Sequence, residues 1–136
     1  MPLAEWPLRT GRPVVQVTLS LAGRGQRLVR RLVADTGAGT LQSVFELLLD
    51  EEDCLQCGGI PIQPVQLGGA YTGWYPVYLV DVRVPELNFD DSVPVVGVPN
   101  VPEGLDGIAA FKFLCRFNYG NFGDSERFGL DPPPTP

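Results

Sequence analysis

The chain has 136 residues, 44% of them apolar, which suits one domain with one packed core and excludes wholesale disorder. No apolar run reaches the length of a membrane span, and a net charge of −6 argues against a nucleic-acid partner. Three Cys come with no His, so the C-x-x-C pair Cys54 and Cys57, which follows the acidic run at 50–53, lacks the further ligands of a zinc site.

Sixteen Gly and fourteen Pro favour short strands joined by turns over long helices. Charge is uneven: residues 1–31 hold six Arg and one acid, Glu5, whereas the rest holds four basic and fifteen acidic residues. The basic N-terminal segment reads either as a solvated strand face or as a surface that meets an acidic partner. There is no basic stretch followed by an apolar run and a small-residue cleavage site, and the odd cysteine count fits a reducing compartment. A cytoplasmic location is therefore expected.

In chain order, the first element is the alternating stretch at 13–23, with Val15, Val17, Leu19 and Leu21 on one face and Gln16, Thr18 and Ser20 on the other. Gly23 to Gly25 turns the chain, and residues 26–34 return as the second strand of a hairpin that delivers Asp35 at its end. Residues 41–53 read as a short helix opened by Ser43 and Glu46, with Val44, Leu47 and Leu48 on one face. The two prolines at 60–67 allow only an edge or irregular strand. A glycine-rich tip, Gly68 to Gly73, feeds a strong strand with Tyr78, Val80, Val82 and Val84 inward, and residues 92–98 form another short strand. Trp6 anchors the N-terminal segment to the body or to a partner chain. A helical turn is expected near Ala109 to Leu114, with Phe111, Phe113, Cys115 and Phe117 in the core. The sum is a mostly β, barrel-like domain over 1–130, with a disordered Pro-rich tail at 131–136.

Asp35 is the residue that asks for a reason. A carboxylate delivered by an apolar strand is costly unless it is used, and it is followed directly by Thr36, Gly37 and Ala38. A turn in which the Asp side chain bonds nearby amides is the plain structural account. Against it stand the strand's inward approach, the glycine-rich tip downstream with Tyr71 and Trp74, and the late apolar segment at 106–114.

In this order the elements resemble the retropepsin-like aspartic proteases, in particular their bacterial single-domain members, over about residues 13–119. Asp35, Thr36, Gly37 and Ala38 match that family's loop, the 67–74 segment resembles its flap, and 106–114 resembles its late apolar segment and short helix. Ala110 stands where that family places a Gly, and Lys112 where an acidic or amide residue is frequent. The resemblance implies a small closed β-barrel of the retropepsin type with one or two short helices. It implies Asp35, Thr36 and Gly37 as catalytic residues, and Ala38, Gly68, Gly69, Ala70, Tyr71, Gly73 and Trp74 as substrate-binding ones, with no cofactor and no metal. Trp74 and Tyr75 read equally well as caps over the core.

Two close carboxylates share one proton, so one serves as general base toward water and the other as general acid toward the scissile carbonyl. Asp-Thr-Gly occurs once, since Glu126 stands where a second loop at Asp124 and Ser125 would need Gly. The second carboxylate must come from a second chain, which implies a homodimer acting on a protein or peptide substrate. The alternative is a catalytically inactive retropepsin-like dimerisation or peptide-binding domain, and a third reading is an unrelated small barrel with Asp35 in a turn.

Overall fold

The hairpin that the alternation at 13–34 predicts forms. After a first strand, β1 (Ala4–Pro7), strand β2 (Val14–Ser20) runs antiparallel to β3 (Arg27–Asp35), with Val14 opposite Val33 and Ser20 opposite Arg27. Val15, Val17 and Leu19 are fully buried, as a period of two requires. The computed structural model describes residues 2–23, 25–101 and 105–133.

Residues 41–53 depart from the expected helix. Leu47–Asp50 is a strand, β4, and helix α1 begins only at Glu51 (Glu51–Gln56). Every residue from Phe45 to Leu49 is buried. An amphipathic helix would expose part of that run, whereas a central strand covered on both faces buries all of it. The acids serve the helix start instead: Asp50 Oδ1 accepts the Glu52 N–H at 2.9 Å, and Glu51, Glu52 and Asp53 fill the first turn, where the helix dipole favours them.

Strands β5 (Ile60–Pro61), β6 (Val65–Leu67), β7 (Gly73–Tyr75), β8 (Val77–Val84), β9 (Phe89–Val98) and β10 (Gly107–Ala110) follow. A single helical turn, α2 (Phe111–Leu114), then leads to β11 (Asn118–Gly120) and β12 (Arg127–Asp131). The order β2-β3-β10-β4-β9-β8 returns to β2 through Thr18 opposite Arg83 and Leu19 opposite Val82, closing a six-stranded barrel. The barrel is mixed, because β10 runs parallel to β3 and β4 parallel to β9. β5 takes the rest of that edge of β8, the peripheral place its proline permits. The fold is thus mostly β, a small closed barrel with two short helices, as expected.

Two strands lie where the sequence carries no pattern. β1 and β12 are short, and each finds its partner at the opposite end of the chain, in the sheet β1-β12-β11. Trp6 on β1 is buried in the main core with Phe128 and Leu130 of β12, so the N-terminal segment is anchored to the body. Asp131, assigned by sequence to the tail, ends β12, and its Oδ1 accepts the Leu3 N–H at 3.0 Å. Residues 134–136 of the expected tail lie outside the described residues.

Inside the barrel, the rings of Phe89, Phe113 and Phe117 meet edge to face with centroids 5.4 to 5.9 Å apart. Each such pair contributes about 0.5–1.5 kcal/mol beyond its burial. Two expected core residues are displaced: Phe111 is half-buried and Cys115 is exposed. They are four apart on one helical turn, so they share the side opposite buried Phe113 and Leu114. Among the described residues, no helix is long and apolar enough to cross a membrane.

Glu46 is 3% exposed and sits just before β4, so its charge needs a partner. Arg116, beyond α2, supplies it with two hydrogen bonds, Nε to Oε1 and Nη2 to Oε2 at 2.8 Å, while its guanidinium lies 5.5 Å from the Phe89 ring centroid. These bonds hold the arginine's pKa above its ordinary value against the opposing effect of burial. Arg116→Ala should lower unfolding stability by about 3 kcal/mol, because it strands a buried carboxylate. Chemical denaturation checks this, and a loss under about 0.5 kcal/mol would mean that water replaces the guanidinium.

Candidate active site

Asp35 is the last residue of β3, half-buried, and lies beside Ala110 in the parallel register of β3 with β10. The chain then turns: the Ala38 N–H reaches the Asp35 carbonyl at 3.2 Å, and the Gly37 N–H donates to Asp35 Oδ1 at 2.9 Å. Oδ2 accepts no hydrogen bond among the described residues. A methyl group at Gly37 would lie 3.2 Å from Oδ1, so glycine keeps the amide and the carboxylate in contact. Thr36 and Gly37 are both exposed.

The turn is held from behind by the start of α2. The Phe111 N–H donates to the Ala38 carbonyl at 3.0 Å, and Lys112 Nζ to the Ser43 carbonyl at 2.8 Å. Lys112 is thus a tie between the helix and the loop. Gly39 has φ +75°, and a side chain there would meet Ser43 Oγ at 2.7 Å, so this position takes only glycine. Ala110, in place of the family's glycine, is 1% exposed with φ −80°, an ordinary extended conformation, and its methyl group packs in an apolar cluster with Phe45, Leu48 and Ile108.

Beside the turn lies a cavity of about 590 Å³, a size that takes several side chains of a ligand. Gly37, Ala38 and Gly39 form one wall, Gln42 to Phe45 with Leu48 and Ile108 another, and Val65 to Gly69 with Tyr71 the third. No charged side chain lines it. The third wall is the β6–β7 hairpin, a two-stranded sheet of its own, with a 3-10 turn at Gly69–Tyr71. Gly69 has φ +65°, and a Cβ at Gly68 or Gly69 would meet nothing within 4 Å. The Tyr71 hydroxyl is buried with no partner among the described residues, and burial, then Tyr75, pushes its pKa upward.

Of the residues singled out by sequence, the fold gathers Gly37, Ala38, Gly68, Gly69 and Tyr71 around this cavity, while Asp35 and Thr36 flank it on the same turn. Ala70 belongs to the 3-10 turn and Gly73 opens β7. Strand alternation separates Trp74 from the rest: it is 66% exposed and does not line the cavity, whereas Tyr75 packs on the cluster below. The second wall was not legible, because residues 42–48 read as a helix and the burial of Phe45 to Leu48 on both faces is conferred by neighbouring strands. Cys54 is buried, which drives its thiol pKa up to about 12, and burial raises Cys57 as well, so neither is poised as a thiolate. Among the described residues, no group of three or more His, Cys, Asp or Glu is placed to hold a metal ion.

No family model and no curated protein matches the chain. Among solved structures, it is similar to the crystal structure of the retroviral protease-like domain of Ddi1 from Leishmania major, at 12% identity and a TM-score of 0.46, over 88% of this chain and 95% of that one.

Proposed function

We propose that the chain is a retropepsin-like aspartic endopeptidase that acts as a homodimer on a protein or peptide substrate. The observation that carries this reading is the turn Asp35-Thr36-Gly37-Ala38, with one carboxylate oxygen held by the Gly37 amide and Oδ2 unpartnered, at the wall of an uncharged cavity under a glycine-rich hairpin. Each chain brings one such turn, so the catalytic pair is Asp35 from two copies, meeting on a two-fold axis with Thr36 beside it. The pair shares a proton: the ionised member takes a proton from water, and the neutral one gives its proton to the scissile carbonyl oxygen. Ala38 and the hairpin residues Gly68, Gly69, Ala70, Tyr71, Gly73 and Trp74 bind the substrate as an added strand, with an apolar side chain in the cavity.

The test is cleavage of an unfolded protein across a dilution series, with sedimentation at the same concentrations. Cleavage should track the dimer, and a statine-type mimic whose hydroxyl sits between the carboxylates should block it. A strictly monomeric protein that cleaves would refute the shared site. Dimers that bind peptides without cutting them would mark a peptide-binding domain instead.

The hairpin acts as the lid. Gly69 and Gly73 have positive φ values of 65° and 132°, which proline cannot adopt. Gly69→Pro and Gly73→Pro should each lower kcat/KM at least about tenfold while leaving the melting temperature within a few degrees, since the hairpin is a sheet apart from the barrel. Undiminished turnover in both would place the lid elsewhere.

A further inference from the structure

Residues 9–12 form a tight turn in which the Arg9 N–H donates to the Arg12 carbonyl and the Arg12 N–H to the Arg9 carbonyl, both at 3.0 Å. Its two central residues, Thr10 at φ 49° and Gly11 at φ 76°, are both left-handed, an uncommon state for a β-branched residue. The turn sets two arginines directly opposite each other, where like charges repel. Arg9 also lines a recess of about 230 Å³ with Arg31 of β3, over a floor of Trp6, Leu8 and Val14.

The arginines of this chain divide sharply. Arg30, Arg83, Arg116 and Arg127 each lie within 4 Å of a carboxylate. Arg9, Arg12 and Arg31 are exposed, as is Arg27 at the far end of β3, and none of these four has an ion-pair partner among the described residues. The Arg31 guanidinium has one long contact, to Gln16 Oε1 at 3.4 Å. Two acidic residues border this face: Asp106, whose Oδ2 accepts the Arg31 backbone N–H at 2.8 Å, and Glu126, whose backbone carbonyl accepts the Leu8 N–H at 3.0 Å. A net charge of −6 makes this cluster a local reversal of the chain's sign.

We infer that the recess between the Arg9–Arg12 turn and Arg31 is a docking site for an extended acidic peptide segment of a partner protein, which seats one apolar side chain on Trp6, Leu8 and Val14 and lays its carboxylates on the three guanidinium groups. Charge complementarity selects the acid, and the apolar floor, which a polyphosphate chain cannot use, selects a peptide. The recess stands at the end of the β2–β3 hairpin that carries Asp35, since the Pro13 carbonyl accepts the Ala34 N–H at 3.0 Å. It is separate from the cavity beside Asp35 and stands independently of the peptidase reading.

Fluorescence anisotropy on the full chain tests it, with a labelled octapeptide of Asp and Glu around one Leu, the same peptide with Asn and Gln, and an eight-residue single-stranded oligonucleotide. The acidic peptide should bind at least about tenfold tighter than its neutral counterpart, and Arg9→Gln with Arg31→Gln should erase that margin. Arg9→Gln alone should already cost at least about threefold, whereas Arg27→Gln, which removes the same single charge at the far end of β3, should change affinity less than about twofold. Asp35→Asn should leave binding unchanged. Equal binding of both peptides, an equal loss in Arg27→Gln, oligonucleotide binding as tight as the acidic peptide, or loss in Asp35→Asn would each overturn the assignment.

Discussion

Asp35→Asn should reduce peptide hydrolysis to background at every pH while the dimer persists. An amide can neither share the proton nor accept one from water, and in a homodimer one substitution removes both the general acid and the general base. Each role is typically worth roughly 10²–10⁴-fold, so the combined loss should exceed about 10⁴-fold. Folding should be spared: the Asn side-chain oxygen can still accept the Gly37 N–H that now reaches Asp35 Oδ1 at 2.9 Å. Replacing a carboxylate pair whose like-charge repulsion forces it to hold a proton should leave the dimer as tight or tighter. Mixing gives the sharper test. With equal amounts of natural and Asp35→Asn chains and free exchange, about one quarter of dimers carry two Asp, so activity per natural chain should fall by half. Activity per natural chain that stayed constant would mean that each chain works alone. Because turnover needs one charged and one neutral carboxylate, the natural enzyme should show a bell-shaped pH profile with an acidic optimum.

The largest expected stability effect is at Gly107→Ala, a loss of at least about 4 kcal/mol, enough to unfold much of a domain this size. Gly107 is buried on β10 opposite Leu49 of β4. A Cβ there would run into the Leu48 carbonyl oxygen, which belongs to the backbone and cannot swing away, and would also press on Leu49 Cδ2 at 3.0 Å and Leu32 Cδ2 at 3.1 Å. Relief requires β10 to move off β4, and β10 is the strand that flanks Asp35. Ala110→Gly is the contrast, costing about 1 kcal/mol for a lost buried methyl group and a freer backbone. Far-UV circular dichroism through a urea titration compares the two. A Gly107→Ala protein within about 1 kcal/mol of the natural chain would show that the β10–β4 contact is looser than its geometry implies.

Much of this protein is legible locally. The β2–β3 hairpin follows from the alternation of Val15, Val17 and Leu19, because strand period is a property of neighbouring residues. The same holds for the inward face of β8 and for the prolines that confine β5 to an edge. The Asp35 turn was readable too, because Asp-Thr-Gly-Ala sets its own hydrogen bonds within four residues. What only the tertiary structure decided depends on partners distant in sequence. Phe45 to Leu49 has the composition of a helix, and it becomes strand β4 because β9 and β10 flank it and its surroundings bury both faces. β1 and β12 exist because they find each other across the whole chain. The cavity beside Asp35 likewise needs three segments brought together from positions 37–48, 65–71 and 108, which no local pattern encodes. Burial on both faces is conferred by neighbours, so a residue's own sequence context cannot announce it.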